Sequence, residues 1–377
     1  MQSFLQLVAH DLYAKIGNDL SRTALIFPNK RANLFFNEYL AGESDQPIWS
    51  PAAMSISDLF QKLSVQKSGD PIRLVCELYK VFKEETQSQE TLDDFYFWGE
   101  LLISDFDDVD KNMVDADKLF SNLQDLKNLM DDYEFLDKEQ EEAIQQFFQN
   151  FSIERRTELK EKFISLWDKL GTIYHHYREN LTELGIAYEG MLYRNVIEQL
   201  DTDQLKYDKY IFVGFNVLNK VENEFFRKLK DAGKALFYWD YDIFYTQQIR
   251  KHEAGEFLKR NLGEFPNELP ESFFDTFKEP KKIRYISAST ENAQARFLPE
   301  WIKMITDNHS QIAEEKEKEN AVVLCNEALL LPVLHSIPQE VKNVNITMGF
   351  PLAQTPIYSF INAAMELQTN GYRSATR

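Results

Sequence analysis

Thr23-Ala-Leu-Ile-Phe-Pro-Asn-Lys-Arg-Ala-Asn-Leu-Phe-Phe-Asn-Glu-Tyr-Leu40 is the stretch from which the fold is read. Its first five residues are an unbroken run of apolar and β-branched types, closed by Pro28-Asn29. Proline cannot donate to a ladder and asparagine tolerates turn geometry, so the run has a defined stop. A short apolar segment bounded in this way predicts a strand buried on both faces, as in a parallel sheet covered by helices. From Arg31 to Leu40 the apolar positions resume at helical spacing, which makes the unit strand, loop, helix.

Working outward, the same unit recurs. Ile48-Trp-Ser-Pro51 reads as a strand leading into Met54-Ser-Ile-Ser57, with Ser57 expected to cap a helix over 58–63. Tyr207 to Gly214 predicts a strand followed by a helix through Glu222, Phe225, Phe226 and Leu229, and Lys234 to Trp239 predicts another strand that ends in Asp240-Tyr-Asp242. Further strands are expected at Lys282–Ser287, before a helix from Thr290 to Ile305, and at Ala321–Cys325, before a helix from Glu327. Residues 3–20 carry helical spacing ahead of the first strand. Between Asp70 and about Leu200 the pattern is helical with no convincing strand; its clearest element, 157–185, steps by three or four through Leu170, Ile173, Tyr177 and Leu181 until Gly185 stops it.

The expected architecture is therefore α/β: a mostly parallel sheet with helices on both faces, interrupted by a large all-helical insertion. The corresponding divisions are 1–65 and 205–312 for the sheet domain, 66–204 for a helical insertion subdomain, and 313–377 for the start of a second α/β domain. Neither 21–60 nor 205–305 holds enough strands for a sheet of ordinary size, so the two are expected to share one.

Composition bounds what such a fold does. The chain has 377 residues, 44% hydrophobic and 27% charged, with a formal net charge of −19. No apolar run approaches the roughly 20 residues that span a bilayer, and the N-terminus lacks a basic, apolar leader pattern, so no membrane partner and a cytoplasmic location are expected. The two cysteines, Cys76 and Cys325, sit far apart in apolar contexts and read as buried thiols. Charge is uneven: Glu84 to Glu142 holds 20 acidic residues against four lysines, which is −16 of the −19. The rest is near neutral and does not strongly repel a phosphate backbone. The acidic block reads first as a solvated helical surface and second as a dock for a basic partner or a mimic of DNA charge.

Several chemistries are absent. No GxxxxGK[ST] phosphate cradle occurs, and the 13 glycines do not cluster. His175 and His176 are adjacent, about 100° apart on a helix, and do not share a metal easily. Asp105-Phe-Asp-Asp-Val-Asp110 lacks the glycine and glutamate of a calcium loop and reads as a solvated helix junction. Glu158-Leu-Lys160 and Glu314-Glu-Lys316 fall in a helix and a charged linker, not on the strand a PD…(D/E)xK nuclease needs. No catalytic residue, metal site or cofactor is assigned.

Taken together, Ala24 to Leu40, Ile48 to Phe60, Tyr210 to Leu229 and the pair Val322–Leu334 with Asn345-Ile-Thr-Met-Gly-Phe-Pro-Leu352 resemble the N-terminal, helicase-like part of AddB/RecB-type exonucleases, with its UvrD-like fold. The resemblance implies motif Ia at Asn29, Lys30 and Arg31, with Ser55 and Ser57 on the neighbouring loop, touching DNA phosphates. It implies a Walker B position at Gly214, Phe215 and Asn216, where no carboxylate stands, a Walker A strand replaced by the helix at 3–20, and no sensor glutamine after Trp239. A helicase fold kept as a scaffold is the expectation, with DNA and an AddA-like helicase–nuclease subunit as partners and a PD-(D/E)XK nuclease elsewhere in the parent. A second motor domain needs more residues than follow 313, so the chain reads as a segment of a longer protein.

Overall fold

A computed structural model describes residues 2–120, 156–246, 253–305 and 320–371. The chain divides into two compact units, residues 1–279 and 280–377. In the first, α1 (Phe4–Ile16) precedes β1 (Thr23–Phe27), α2 (Ala32–Ala41), β2 (Ala52–Ser55), α3 (Ile56–Leu63) and β3 (Lys67–Ser68). Helices α4 (Pro71–Thr86), α5 (Leu92–Lys111) and α6 (Arg156–Glu183) follow, then β4 (Ile186–Ala187) and α7 (Glu189–Gln199). The chain returns through β5 (Lys209–Val213), α8 (Lys220–Asp231) and β6 (Ala235–Tyr238), and ends this unit with α9 (Ile243–Thr246) and α10 (Glu256–Glu264).

The four longer strands make one parallel sheet in the order β2-β1-β5-β6, so the strands on either side of the helical insertion do share a sheet. Alternation along β1 sorts the core. Ala24 and Ile26 join Phe212, Phe225 and Phe226 on one face. Leu25 and Phe27 join Val8, Leu12, Phe36, Leu40 and Ile211 on the other. Helices α1 and α2 thus cover one face, and α3, α7 and α8 the opposite one. The crossover from β1 to β2 and that from β5 to β6 run in opposite directions, and right-handed connections then place α2 and α8 on opposite faces.

Three expectations are corrected here. The second strand is Ala52–Ser55, not 48–51; Trp49 makes only an isolated bridge with Asp19. Ser55, not Ser57, caps α3, because its hydroxyl and the Asp58 carboxylate form a reciprocal capping box. The insertion is not strandless: β3 and β4 pair in parallel, with Lys67 opposite Ile186 and Ser68 opposite Ala187. The described insertion residues also share one core with the sheet; Leu74, Phe106, Tyr177 and Leu181 belong to the same cluster as Phe60 and Phe212.

The insertion is held by a buried charge cluster. Asp110, fully buried, accepts hydrogen bonds from the hydroxyls of Tyr174 (2.6 Å) and Tyr188 (2.5 Å) and from the guanidinium groups of Arg178 and Arg194. Burial and the Asp110 charge push both phenols up, so each stays a donor. Arg178 also donates to Asn195, whose amide reaches Gln66 beside β3 (2.7 Å). One carboxylate therefore joins α5, α6 and α7. The Asp105–Asp110 stretch is not simply solvated: Asp110 is internal, and Asp107 accepts from the backbone N–H of Gly190. A Cβ on Gly190 would lie 2.4 Å from the Asp107 carbonyl oxygen, so the start of α7 meets the end of α5 only because that residue is glycine.

In the second unit, α11 (Glu291–Arg296), α12 (Leu298–Ile305), α13 (Leu330–His335) and α14 (Pro356–Asn370) form as helices. The strands expected at Lys282–Ser287 and Ala321–Cys325 do not form; neither segment is paired, and Tyr285 and Val323 stand 91% and 84% exposed. A strand needs a hydrogen-bonded neighbour, and the described residues of this unit supply none. Cys325 is exposed and Cys76 half-buried, so neither is the buried thiol expected. No described helix is long and apolar enough to cross a membrane. Residues 121–142 of the acidic block lie outside the described residues.

Replacing Asp110 with asparagine leaves Arg178 without its counter-charge and is expected to lower stability by about 3 kcal/mol. Asp108→Asn, at an exposed position of the same helix, should change it by about 0.5 kcal/mol or less. Urea unfolding followed by circular dichroism compares the two, and equal midpoints would show that the cluster does not hold the insertion.

Candidate functional site at the carboxyl edge of the sheet

Because all four strands are parallel, the loops that leave them lie along one edge: Pro28–Arg31 after β1, the β2–α3 junction, Gly214–Asn219 after β5, and Trp239–Asp242 after β6. The strand order reverses between β1 and β5, and in open α/β sheets ligands sit outside the carboxyl ends of strands at that point. The expected motif Ia residues are on this edge.

Asn29 folds its side chain onto its own loop, accepting from the N–H groups of Arg31 (3.1 Å) and Ala32 (3.4 Å) and so opening α2. Lys30 reaches across to the neighbouring loop, where its ammonium lies 3.0 Å from Asp58. Arg31 is exposed and makes no ion pair with a described residue. Ser55 is buried and donates to Asp58 (2.8 Å), while Ser57 donates to Glu189 (3.3 Å). Of the five residues named from sequence, Arg31 alone presents a full, unpaired positive charge.

Helix α2 opens at this edge on the Asn29 side chain with no acid in its first turn, whereas α3, α7 and α8, which begin near it, each have a carboxylate at their start. Asp58 closes the capping box of α3 and Glu222 that of α8. At α7, Asp107 takes the Gly190 N–H, and Glu189 occupies the first turn. Lys111 ties the last pair together, 2.7 Å from Asp107 and 2.6 Å from Glu189. The Lys30 ammonium holds the Asp58 carboxyl below the usual range, helped by Ser55. Burial opposes the charge on Glu189, but Lys111, Tyr193 and Ser57 together hold its carboxyl low. Burial pushes Glu222 up. Helix N-termini attract anions because their N–H groups and dipoles converge there. At α3, α7 and α8 the chain's own carboxylates take this role.

Sequence reasoning saw neither Asp58 nor Glu189 as part of this edge. The Ser55–Asp58 spacing of three was the available signal for the first; the second is brought in from 132 residues away.

Gly214, Phe215 and Asn216, expected at a Walker B position, are equally committed to structure. Gly214 has φ +73°, a left-handed value that disfavours any side-chain-bearing residue. Phe215 is buried against Phe226, with ring centroids 5.4 Å apart. The Asn216 carbonyl accepts from the buried Asn261 amide at 2.7 Å. After β6, Asp242 accepts from the N–H groups of Phe244, Thr276 and Phe277, which makes it a loop staple. Among the described residues no group of three or more histidine, cysteine or acidic side chains is placed to hold a metal ion; His175 and His176 pair instead with Asp117 and Glu85.

No protein-family model matches this chain, and no curated protein sequence matches it either. Composition and fold define a mixed α/β protein with a small parallel sheet and many helices.

Asp58 has a depressed folded-state value, so the stability it contributes is present above the ordinary aspartate range near pH 4 and is lost as pH falls through the folded value. Asp58→Asn should therefore cost about 1 kcal/mol at pH 7, a typical worth for a cap, and the gap from wild type should close in acid. Denaturation midpoints from pH 7 to pH 3 measure it; a gap that stays constant would mean that the carboxylate charge is not what holds the cap.

Proposed function

We propose that this chain is a non-catalytic, helicase-like scaffold segment of a DNA double-strand-break-processing exonuclease. On this reading it guides DNA, in the cytoplasm, for a nuclease located elsewhere in the parent protein or in an AddA-like partner subunit. The observation that carries the reading is the combination at one sheet edge: a reversal of strand order suited to ligands, three helix N-termini closed by Asp58, Glu222 and the Asp107–Glu189 pair, and an unpaired Arg31 beside them. At α3, α7 and α8 a triphosphate meets carboxylates, and at α2 it meets the Asn29 amide oxygen on the Arg31 and Ala32 N–H groups, where a nucleotide-binding protein offers bare N–H groups. The edge therefore favours a few outer phosphate contacts over a buried nucleotide. The resemblance of Ala24–Leu40 and Tyr210–Leu229 to AddB/RecB-type proteins supports the same assignment.

A protein–protein module is the second reading. Helix α5, within the acidic block, leaves Phe97 65% and Leu101 43% exposed among Asp93, Asp94 and Glu100. Apolar residues set among acids on one helix are the features a basic, amphipathic partner would use.

Two measurements test the first reading. Calorimetry with a non-hydrolysable ATP analogue and Mg²⁺ should show no binding tighter than about 10 μM, near −7 kcal/mol; tighter binding would expose a nucleotide site and overturn the scaffold assignment. The variant Arg31→Ala should bind a tailed duplex more weakly and flatten its salt slope by about 0.7, the share of one single-strand phosphate contact. Unchanged affinity and slope would move the assignment to the protein–protein reading.

A further inference from the structure

Helix α14 is closed at both ends by its own flanks. Thr355 accepts from the Tyr358 N–H, Pro356 opens the first turn, and Gly371, at φ +66°, ends the last one. Yet none of its residues is buried. Its apolar residues nevertheless lie on one side. Ile357, Phe360, Ala364 and Leu367 recur at spacings of three, four and three, the seam of a two-helix contact, and Ile361 and Met365 flank it. Ser359, Asn362, Glu366 and Thr369 follow the same spacing on the opposite side. Phe360 is 70% and Met365 60% exposed. A helix of this length is marginal in water, and β-branched, aromatic and short polar residues, weak helix formers, fill about half of it. Its helical state therefore calls for a surface laid over the seam.

We propose that the seam of α14 pairs with the same seam on a second copy of this chain, in a symmetric two-helix contact. Charge selects this occupant. From Phe350 to Gly371 the sequence holds one charged residue, Glu366, on the side away from the seam. A strongly charged partner or an anionic lipid surface finds no complementary charge there. A second copy presents none either, so two chains of net charge −19 meet through neutral faces. Ala364, the small residue of the seam, leaves room for a larger side chain facing it. Ile357, Phe360, Ile361, Met365 and Leu367 are each about half exposed and contribute on the order of 100 Å² apiece. The pair then buries about 1,000 Å², the lower limit for a specific interface, so the dimer dissociates on dilution. The inference is independent of the DNA-guiding reading above.

Sedimentation velocity on the full chain, from about 1 μM to about 100 μM, covers the range of such a contact. Wild type is expected to move from monomer towards dimer as concentration rises. Phe360→Glu should weaken the association at least about thirtyfold, the worth of a central aromatic anchor. Asn362→Lys, on the opposite side, should leave it unchanged. Phe360→Lys should also be monomeric alone, but mixed with Phe360→Glu it should form dimers again, because opposite charges then face each other across the seam. All three positions are exposed, so the fold does not depend on them. Wild type that stays monomeric throughout would overturn the proposal. A dimer that Phe360→Glu leaves intact would overturn it equally, since the copies would then meet elsewhere.

Discussion

The pairing of β1 with β5 is the contact on which the rest of the first unit depends. Arg22 and Asp208, which close the amino end of that pair with a bidentate ion pair, are 186 residues apart in sequence. Closing so long a loop costs entropy, although the cost grows only slowly with length. What repays it is burial on both faces at once. Ala24 and Ile26 face the aromatic cluster of Phe212, Phe226 and Phe237, and Leu25 and Phe27 face α1 and α2. Neither β2 nor β6 touches β5 or β1 respectively across this gap, so without the central pair the sheet is two separate two-stranded pieces, each too small to be stable alone.

The length of the insertion would still leave the closed loop free to fluctuate if its helices were held only by apolar packing, which tolerates sliding. Asp110 answers that. A buried carboxylate with four specific donors, three on two other helices and one, Tyr188, at the cap of α7, admits one arrangement, because any displacement leaves a charge unpaired in a low-dielectric interior. The bridge through Arg178, Asn195 and Gln66 extends that fixed arrangement to the small β3–β4 sheet. The same principle operates at the sheet edge. There, Asp58, Asp107 and Glu222 accept backbone N–H groups at helix starts, and Lys30 and Lys111 pair with Asp58 and Asp107. At these places the chain supplies its own anions. Among the described residues of this edge, Arg31 and Lys220 are exposed and make no ion pair with a carboxylate.

The second unit shows how far local pattern goes without neighbours. Its helices α11 and α13 pack around Ala295, Leu298 and Val333, with Trp301 and Leu324 against them. The apolar segments 282–287 and 321–325 are strand-like in composition, yet they stay unpaired. Strand character in a sequence states that a segment suits a pleated, half-buried surface; it does not supply the partner.

By itself the sequence determined which segments are strands or helices where periodicity was long or an apolar run was closed by turn residues. Thr23–Phe27, Lys209–Val213 and Ala235–Tyr238 are examples, as is the helix ended by Gly185, whose φ of +68° suits glycine. The small number of strands on either side of the insertion also led to the expectation of one shared sheet, which the pairing of β1 with β5 shows. Tertiary structure alone decided which polar residues are available. Lys30, Ser55 and Ser57 have the composition of a phosphate-binding loop, but Asp58 and Glu189 consume them, and one of those acids arrives from 132 residues away. It likewise decided that Asp110 is internal while Asp108, two residues earlier, is exposed, and that Phe36 is core while Phe35 is surface. The physical reason is the same in each case. Backbone pattern is set by spacing along the chain, whereas the fate of a charge or a ring is set by what the fold brings beside it.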